Sequence, residues 1–173
     1  MPLTMFNPLS LASARPVLAH GARGHALRYH KRTLITLKDH KYTAHATARG
    51  QGRNGQVKSD DDHGLDLRLA MPKSLGGKGD GQNPEMLFAM GYAACFLSAM
   101  QLVAGKLGKA EMAKNAVVHT QVHVGEPKEM EGFGLEVAIQ VEGVDEELIK
   151  AGHEACPYSR ALSKGVVVKV SKA

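Results

Sequence analysis

Cys95 and Cys156 are the whole thiol inventory of this 173-residue chain. A thiol becomes a nucleophile or a redox centre as its thiolate, and the thiolate needs a cation nearby. Cys95 lies in Ala93-Ala94-Cys95-Phe96, an apolar stretch where a free cysteine is usually a small inert hydrophobe that resists ionisation. Cys156 precedes Pro157 at the end of a predicted helix, a more accessible place. Arg53 is the candidate cation. It sits in Gly50-Gln51-Gly52-Arg53-Asn54-Gly55, and the flanking glycines let the backbone carry it inward. An arginine on such a turn is more often solvated, so residue types alone leave both readings open.

The elements around these residues can be read from periodicity and punctuation. Segments 41–49, 56–59 and 65–69 alternate with period two and are separated by glycine turns, which predicts an antiparallel meander. Residues 71–82 form a loop dense in glycine. Asn83, Pro84 and Glu85 make a helix start: a cap, a proline at the first position and an acid in the first turn. The helix should run to about Gly108. It is apolar almost all round, so it must be buried on most faces, under a wrapping sheet or against a partner chain. Two strands follow, 117–124 and 134–141. Asp145 caps a short helix to about Ala155, which the Cys156-Pro157-Tyr158-Ser159 run ends, and 166–170 is a last strand. Residues 33–37 alternate well enough to be a first strand. The sum is an α+β domain with antiparallel sheets around one long central helix.

Other constellations are weaker. His119 and His123 share a strand face but lack a third ligand at metal spacing. Asp60-Asp61-Asp62 lacks the spacing of a calcium loop and reads as a solvated turn. The glycines from Gly76 to Gly81 lack the Gly-Lys-Ser/Thr ending of a phosphate loop despite Lys78, and read as a flexible lid. No bound metal or cofactor is expected. No uninterrupted apolar run reaches the roughly 18 residues of a membrane span.

The net charge of +5, from 22 Lys and Arg against 17 Asp and Glu, would suggest a nucleic-acid partner if it were spread over the body. It is not. Residues 1–38 hold Arg15, Arg23, Arg28, Lys31, Arg32 and Lys38 and no acid, which leaves 39–173 near neutrality. With no Trp and 5% aromatics, a stacking surface for single strands is not expected either. An acid-free, arginine-bearing N-terminus reads as a mitochondrial transit peptide, with a basic tail on a cytoplasmic protein as the alternative. The organisation expected is therefore an extension, 1–38, and one domain, 39–173.

Three motifs, in order, resemble the organic hydroperoxide resistance proteins, within the wider family of osmotically inducible peroxidases (OsmC/Ohr). They are the Gly50–Gly55 turn with Pro72-Lys73 and the glycine loop, Asn83-Pro84-Glu85 with Leu87-Phe88-Ala89 and Gly91-Tyr92-Ala93-Ala94-Cys95-Phe96, and His153-Glu154-Ala155-Cys156-Pro157-Tyr158-Ser159. The likeness spans about 40–172, and the N-terminal extension departs from the short bacterial members. The resemblance implies an OsmC-like fold and a thiol peroxidase. Cys95 would be the peroxidatic cysteine and Cys156 the resolving one. Arg53 would hold the thiolate and polarise the peroxide, and Glu85 would orient Arg53. The reductant it implies is a lipoyl dithiol, either dihydrolipoamide or a lipoylated protein. An apolar wall of Leu87, Phe88, Met90 and Phe96 suits the alkyl part of an organic, including fatty-acid, hydroperoxide better than it suits hydrogen peroxide.

One consequence concerns assembly. Glu85 and Cys95 stand ten residues apart, about 15 Å along a helix and roughly 80° around it. They can share a site only if the helix breaks near Gly91, if Arg53 bridges the gap, or if a partner chain supplies Arg53 and Glu85. The apolar helix favours the last, an intertwined homodimer. The alternatives are a broader osmotic-stress peroxidase, and a hydrophobic-ligand carrier or structural dimer with inert cysteines.

Overall fold

The computed structural model describes residues 34–61 and 63–172. Most of the basic extension, with Thr33 and Asp62, lies outside them. The helix start read from Asn83 is as expected. Its side-chain oxygen accepts the Met86 N–H at 2.8 Å, Pro84 takes the first helical position, and α1 runs without interruption from Pro84 to Lys106. Tyr92, Phe96, Ala99, Met100 and Ala104 form its buried stripe. That stripe packs on β4 (Val117–Gly125) and on α3 (Glu146–Ala155). At the crossing with α3, a Cβ on Gly152 would stand 2.9 Å from Met100 Cβ, so the close approach requires glycine. Met100 and Leu148 are fully buried there, each stabilising the fold by about 1.5–3 kcal/mol.

Two short helices, Ala110–Lys114 and Pro157–Lys164, also touch α1, and the rest of its surface is not covered by the described residues. Met90 is 61% and Leu102 67% exposed, so of the two coverings expected, a wrapping sheet or a partner chain, the described residues supply only part. By length and composition alone α1 could cross a membrane. Its buried stripe instead belongs to the protein core.

β4 pairs antiparallel with β5 (Gly134–Glu142), from Val117↔Glu142 to Gly125↔Gly134. Its alternation sends Val118, Thr120, Val122 and Val124 inward and His119 and His123 outward. The expected meander forms as β1 (Ala46–Arg49), β2 (Gln56–Ser59) and β3 (Asp66–Arg68). β1 is shorter than expected and exposed throughout. α2 (Ala110–Lys114) follows α1, and Lys109 between them bonds Asp145 at 2.7 Å and also Glu147, tying the junction to the start of α3.

Three expectations fail at the chain ends and at the second cysteine. Cys156-Pro157 does not end the helical region. Pro157 opens a further helix, α4 (Pro157–Lys164), because a proline that cannot continue one helix is well suited to begin the next. The last strand, 166–170, and the first, 33–37, reduce among the described residues to one parallel bridge, Ile35↔Val166. The β-branched run is there, but among the described residues no strand runs beside it, and Val168 and Val170 are 74% and 92% exposed. The element order is therefore βββ-αα-ββ-αα.

Candidate active site

Arg53 is carried on a single 3-10 turn, Gly52–Asn54, between β1 and β2. Gly52 adopts φ +55°, a left-handed conformation that costs a residue with a Cβ. A Cβ on Gly55 would lie 2.2 Å from the Arg49 carbonyl oxygen. The turn is thus built around glycine, and it directs Arg53 onto the start of α1. There Arg53 Nη1 donates to Glu85 Oε2 at 2.7 Å and Nη2 donates to Oε1 at 2.5 Å. This two-pronged fork is the strong form of a charge-assisted hydrogen bond. It holds the Glu85 carboxyl below its ordinary range and the guanidinium above its own. Beside it lies a groove of about 360 Å³, lined by Pro72, Leu75, Glu85, Met86, Ala89 and Val122 among others.

The thiols meet elsewhere on α1. Cys95 Sγ and Cys156 Sγ are 3.5 Å apart, both as free thiols. Their exposure reverses the sequence expectation: Cys95 is half-buried, and Cys156 is fully buried because α3 and α4 meet at that residue against α1. Burial pushes the Cys95 thiol up, and the backbone N–H of Tyr158 draws it partly back. Cys156 reinforces the rise, and among the described residues no cation opposes it.

An aromatic cluster flanks the sulfurs. Phe88 stacks near-parallel on Tyr158 at 6.1 Å, and Tyr92 is tilted against both, 5.8 Å from Phe88 and 5.7 Å from Tyr158. The Tyr92 hydroxyl and Ser159 Oγ are hydrogen-bonded at 2.8 Å, with both residues buried. Burial, chiefly, holds the Tyr92 phenol above its ordinary range, so it is a neutral hydrogen-bonding group.

The structure therefore brings together Arg53 with Glu85, and Cys95 with Cys156, but not the two pairs within one chain. α1 does not break at Gly91, and both terminal nitrogens of Arg53 are engaged by Glu85. The proposed apolar wall is also redistributed. Phe88 stands in the aromatic cluster, Leu87 is half-buried and Met90 is open to solvent. Phe96, only 2% exposed, faces into the core and is no surface wall. Met86 and Ala89 line the groove beside Glu85 instead. Glu85 and Ala89, one turn apart, share a face, and that spacing could have found them. Tyr92 and Ser159 were missed as well. Their signal is a spacing of three residues from each cysteine.

His119 bonds Glu142 at 3.0 Å on the exposed face of the β4–β5 sheet. Among the described residues no cluster of three or more metal-ligating side chains occurs.

This α+β arrangement around one long apolar helix is found in known proteins. The OsmC-like protein family matches residues 77–171, more than half of the chain. An organic hydroperoxide resistance protein of Xanthomonas axonopodis pv. citri is 42% identical over 137 residues, covering 76% of this chain and 94% of its own. The organic hydroperoxide resistance protein OhrB of Bacillus subtilis is 38% identical over 135 residues, covering 75% and 96%. Its crystal structure superposes with a TM-score of 0.61 at 40% identity, over 74% of this chain and 96% of that one. The organic hydroperoxide resistance protein from Legionella pneumophila gives a TM-score of 0.64 at 42% identity, over 76% and 96%. The chain belongs to the OsmC/Ohr family, which ties it to redox enzymes of the oxidative-stress response. Within that family it is closely related to the organic hydroperoxide resistance proteins.

Proposed function

We propose that this protein is a thiol peroxidase that reduces organic hydroperoxides to alcohols. The observation that carries the reading is the 3.5 Å separation of Cys95 and Cys156. The Cys95 thiolate attacks the terminal oxygen of the hydroperoxide. The O–O bond breaks, the sulfur takes the hydroxyl as a sulfenic acid, and the alkoxide leaves as alcohol after protonation. The Cys156 thiol then displaces that hydroxyl as water and forms a disulfide. A dithiol of the lipoyl class, dihydrolipoamide or a lipoylated protein, returns both cysteines to thiols.

The first step needs a cation at Cys95, and its own chain supplies none among the described residues. An intertwined homodimer resolves this, with Arg53 and Glu85 of one chain completing the site around the cysteines of the other. Three features support that assembly: the open faces of α1, the exposed meander and the exposed valines at 166–170. The groove beside Glu85 then receives the alkyl group of the substrate. The basic 1–38 segment directs the protein to mitochondria, and import of a reporter fused to it is the test.

The upward push on the Cys95 thiol favours a second reading, a hydrophobic-ligand carrier or structural dimer whose cysteines are inert. One experiment separates the two. After one equivalent of cumene hydroperoxide, the peroxidase shows a loss of two hydrogens and a peptide pair linking Cys95 to Cys156. Unchanged thiols support the carrier and end the peroxidase reading.

A further inference from the structure

The hydrogen bond between Tyr92 and Ser159 has a fixed relation to the sulfurs. Tyr92 lies three residues before Cys95 on α1, and Ser159 three residues after Cys156 on α4. Each hydroxyl-bearing residue is thus close to one helical turn from its cysteine, and the two hydroxyls meet at 2.8 Å while the two sulfurs meet at 3.5 Å. The bond and the sulfur contact are parallel rungs between the same two helices. α4 is also tied to α1 through Tyr158, whose backbone N–H bonds the Cys95 thiol. Tyr158, between the rungs, rests on the aromatic cluster and lies 3.6 Å from where a Cβ on Gly91 would be. Tyr92 and Ser159 are 3% and 2% exposed, so water cannot substitute for the bond they make.

We infer that the Tyr92–Ser159 bond is the positioning device for the resolving thiol, setting how readily Cys156 closes on Cys95. In the closing step the S–S bond forms and the S–O bond of the Cys95 sulfenic acid breaks. The Cys156 proton leaves with the hydroxyl as water, Cys156 is oxidised and the sulfenic sulfur is reduced. A sulfur–sulfur distance near 2.05 Å must then be reached from 3.5 Å, and a helix free to drift makes that rarer. Neither residue touches the substrate. This step rests on the peroxidase reading, but the placement of the thiols can be measured without any peroxide.

The test is the Tyr92→Phe/Ser159→Ala double variant of the full chain. It removes both partners together, so no buried hydroxyl is left unpaired and the rings stay in place. Disulfide formation between Cys95 and Cys156 is measured by equilibration against dithiothreitol of known oxidation state. The disulfide's equilibrium constant should fall about tenfold, a rise of roughly 30 mV in its reduction potential. Ser159→Thr, which keeps the hydroxyl, should stay within about twofold of the unmodified chain. With organic hydroperoxide, the second oxidation step should slow far more than the first, and Cys95 sulfinic acid should accumulate. An unchanged equilibrium in the double variant overturns the inference, as does a Ser159→Thr variant that falls equally far. Should the double variant not fold, Tyr92→Phe alone carries the same comparison with the same two outcomes. If hydroperoxide leaves the unmodified thiols intact, the peroxidase reading fails, and the dithiothreitol equilibrium still decides the role of the bond.

Discussion

Arg53 grips Glu85 with both terminal nitrogens, at 2.7 and 2.5 Å, across 32 residues of sequence. The grip fixes the guanidinium at the start of α1, well before Cys95 on the same helix. In the proposed homodimer, a cation locked at one end of the helix in one chain and a sulfur ten residues further on in the other would be complementary parts of one site.

That sharing has a quantitative signature. An Arg53→Ala chain and a Cys95→Ser chain should each be inactive. Dissociated, mixed in equal amounts and reassociated, they should regain about a quarter of the unmodified activity, because half the dimers then hold one complete site. Peroxide consumption by the mixture is the measurement, and no recovery places Arg53 and Cys95 in one chain.

Replacement of Arg53 by Lys tests the fork itself. A lysine keeps the charge but grips one carboxylate oxygen at a time. Catalytic efficiency with cumene hydroperoxide should fall about 10²-fold, the scale seen when one preorganised donor is lost. Efficiency within twofold of the unmodified chain would show that charge alone suffices.

The two cysteines should fail differently. Cys95→Ser should abolish turnover. Cys156→Ser should still consume the first equivalent of hydroperoxide, then stall and accumulate sulfinic acid at Cys95. Intact-mass spectra after stepwise addition distinguish these outcomes.

The glycine turn makes a stability prediction. Gly52→Ala meets no neighbour but must hold φ +55°, at about 1 kcal/mol. Gly55→Ala drives a Cβ into the Arg49 carbonyl and should cost more and weaken the hold on Glu85. Urea denaturation of the two variants should show that order.

Stability should also respond to pH at both ends of the scale. The Glu85 carboxyl is lowered by Arg53, so its contribution is present above its ordinary value of 4.5 and is lost as pH falls through the depressed folded value. Cys95 is raised by burial, so its neutral thiol contributes below the ordinary value of 9.0 and that contribution is lost as pH rises through the folded value. Thermal melts of Glu85→Gln should flatten on the acid side, and those of Cys95→Ser on the alkaline side.

Local signals carried much of the architecture. The Asn83-Pro84 and Asp145 caps and the alternation of β4 and β5 depend on a few neighbouring residues, and they form as read. Pro157 was ambiguous because the same ring ends one helix and begins another. The burial of Cys156 followed from that ambiguity, since α4 is one of the elements that enclose it. The valines of 166–170 carry strand propensity, but a strand needs a neighbour, and the described residues offer only the bridge at Ile35. Arg53 and Glu85 came through resemblance, because nothing local joins a glycine turn to a helix start 32 residues away. Tyr92 and Ser159 went unread because each is an ordinary core residue until the other is placed beside it.

On the peroxidase reading, the unequal exposure of the two sulfurs would give the catalytic cycle a direction. In a disulfide between them, an incoming reductant can approach from the Cys95 side, whereas Cys156 is sealed. The mixed disulfide would therefore form on Cys95, with Cys156 as the departing thiolate. On that reading, a reductant would bring its sulfur on a slender arm into that opening, and a thiol held flat on a broad protein surface would be turned away.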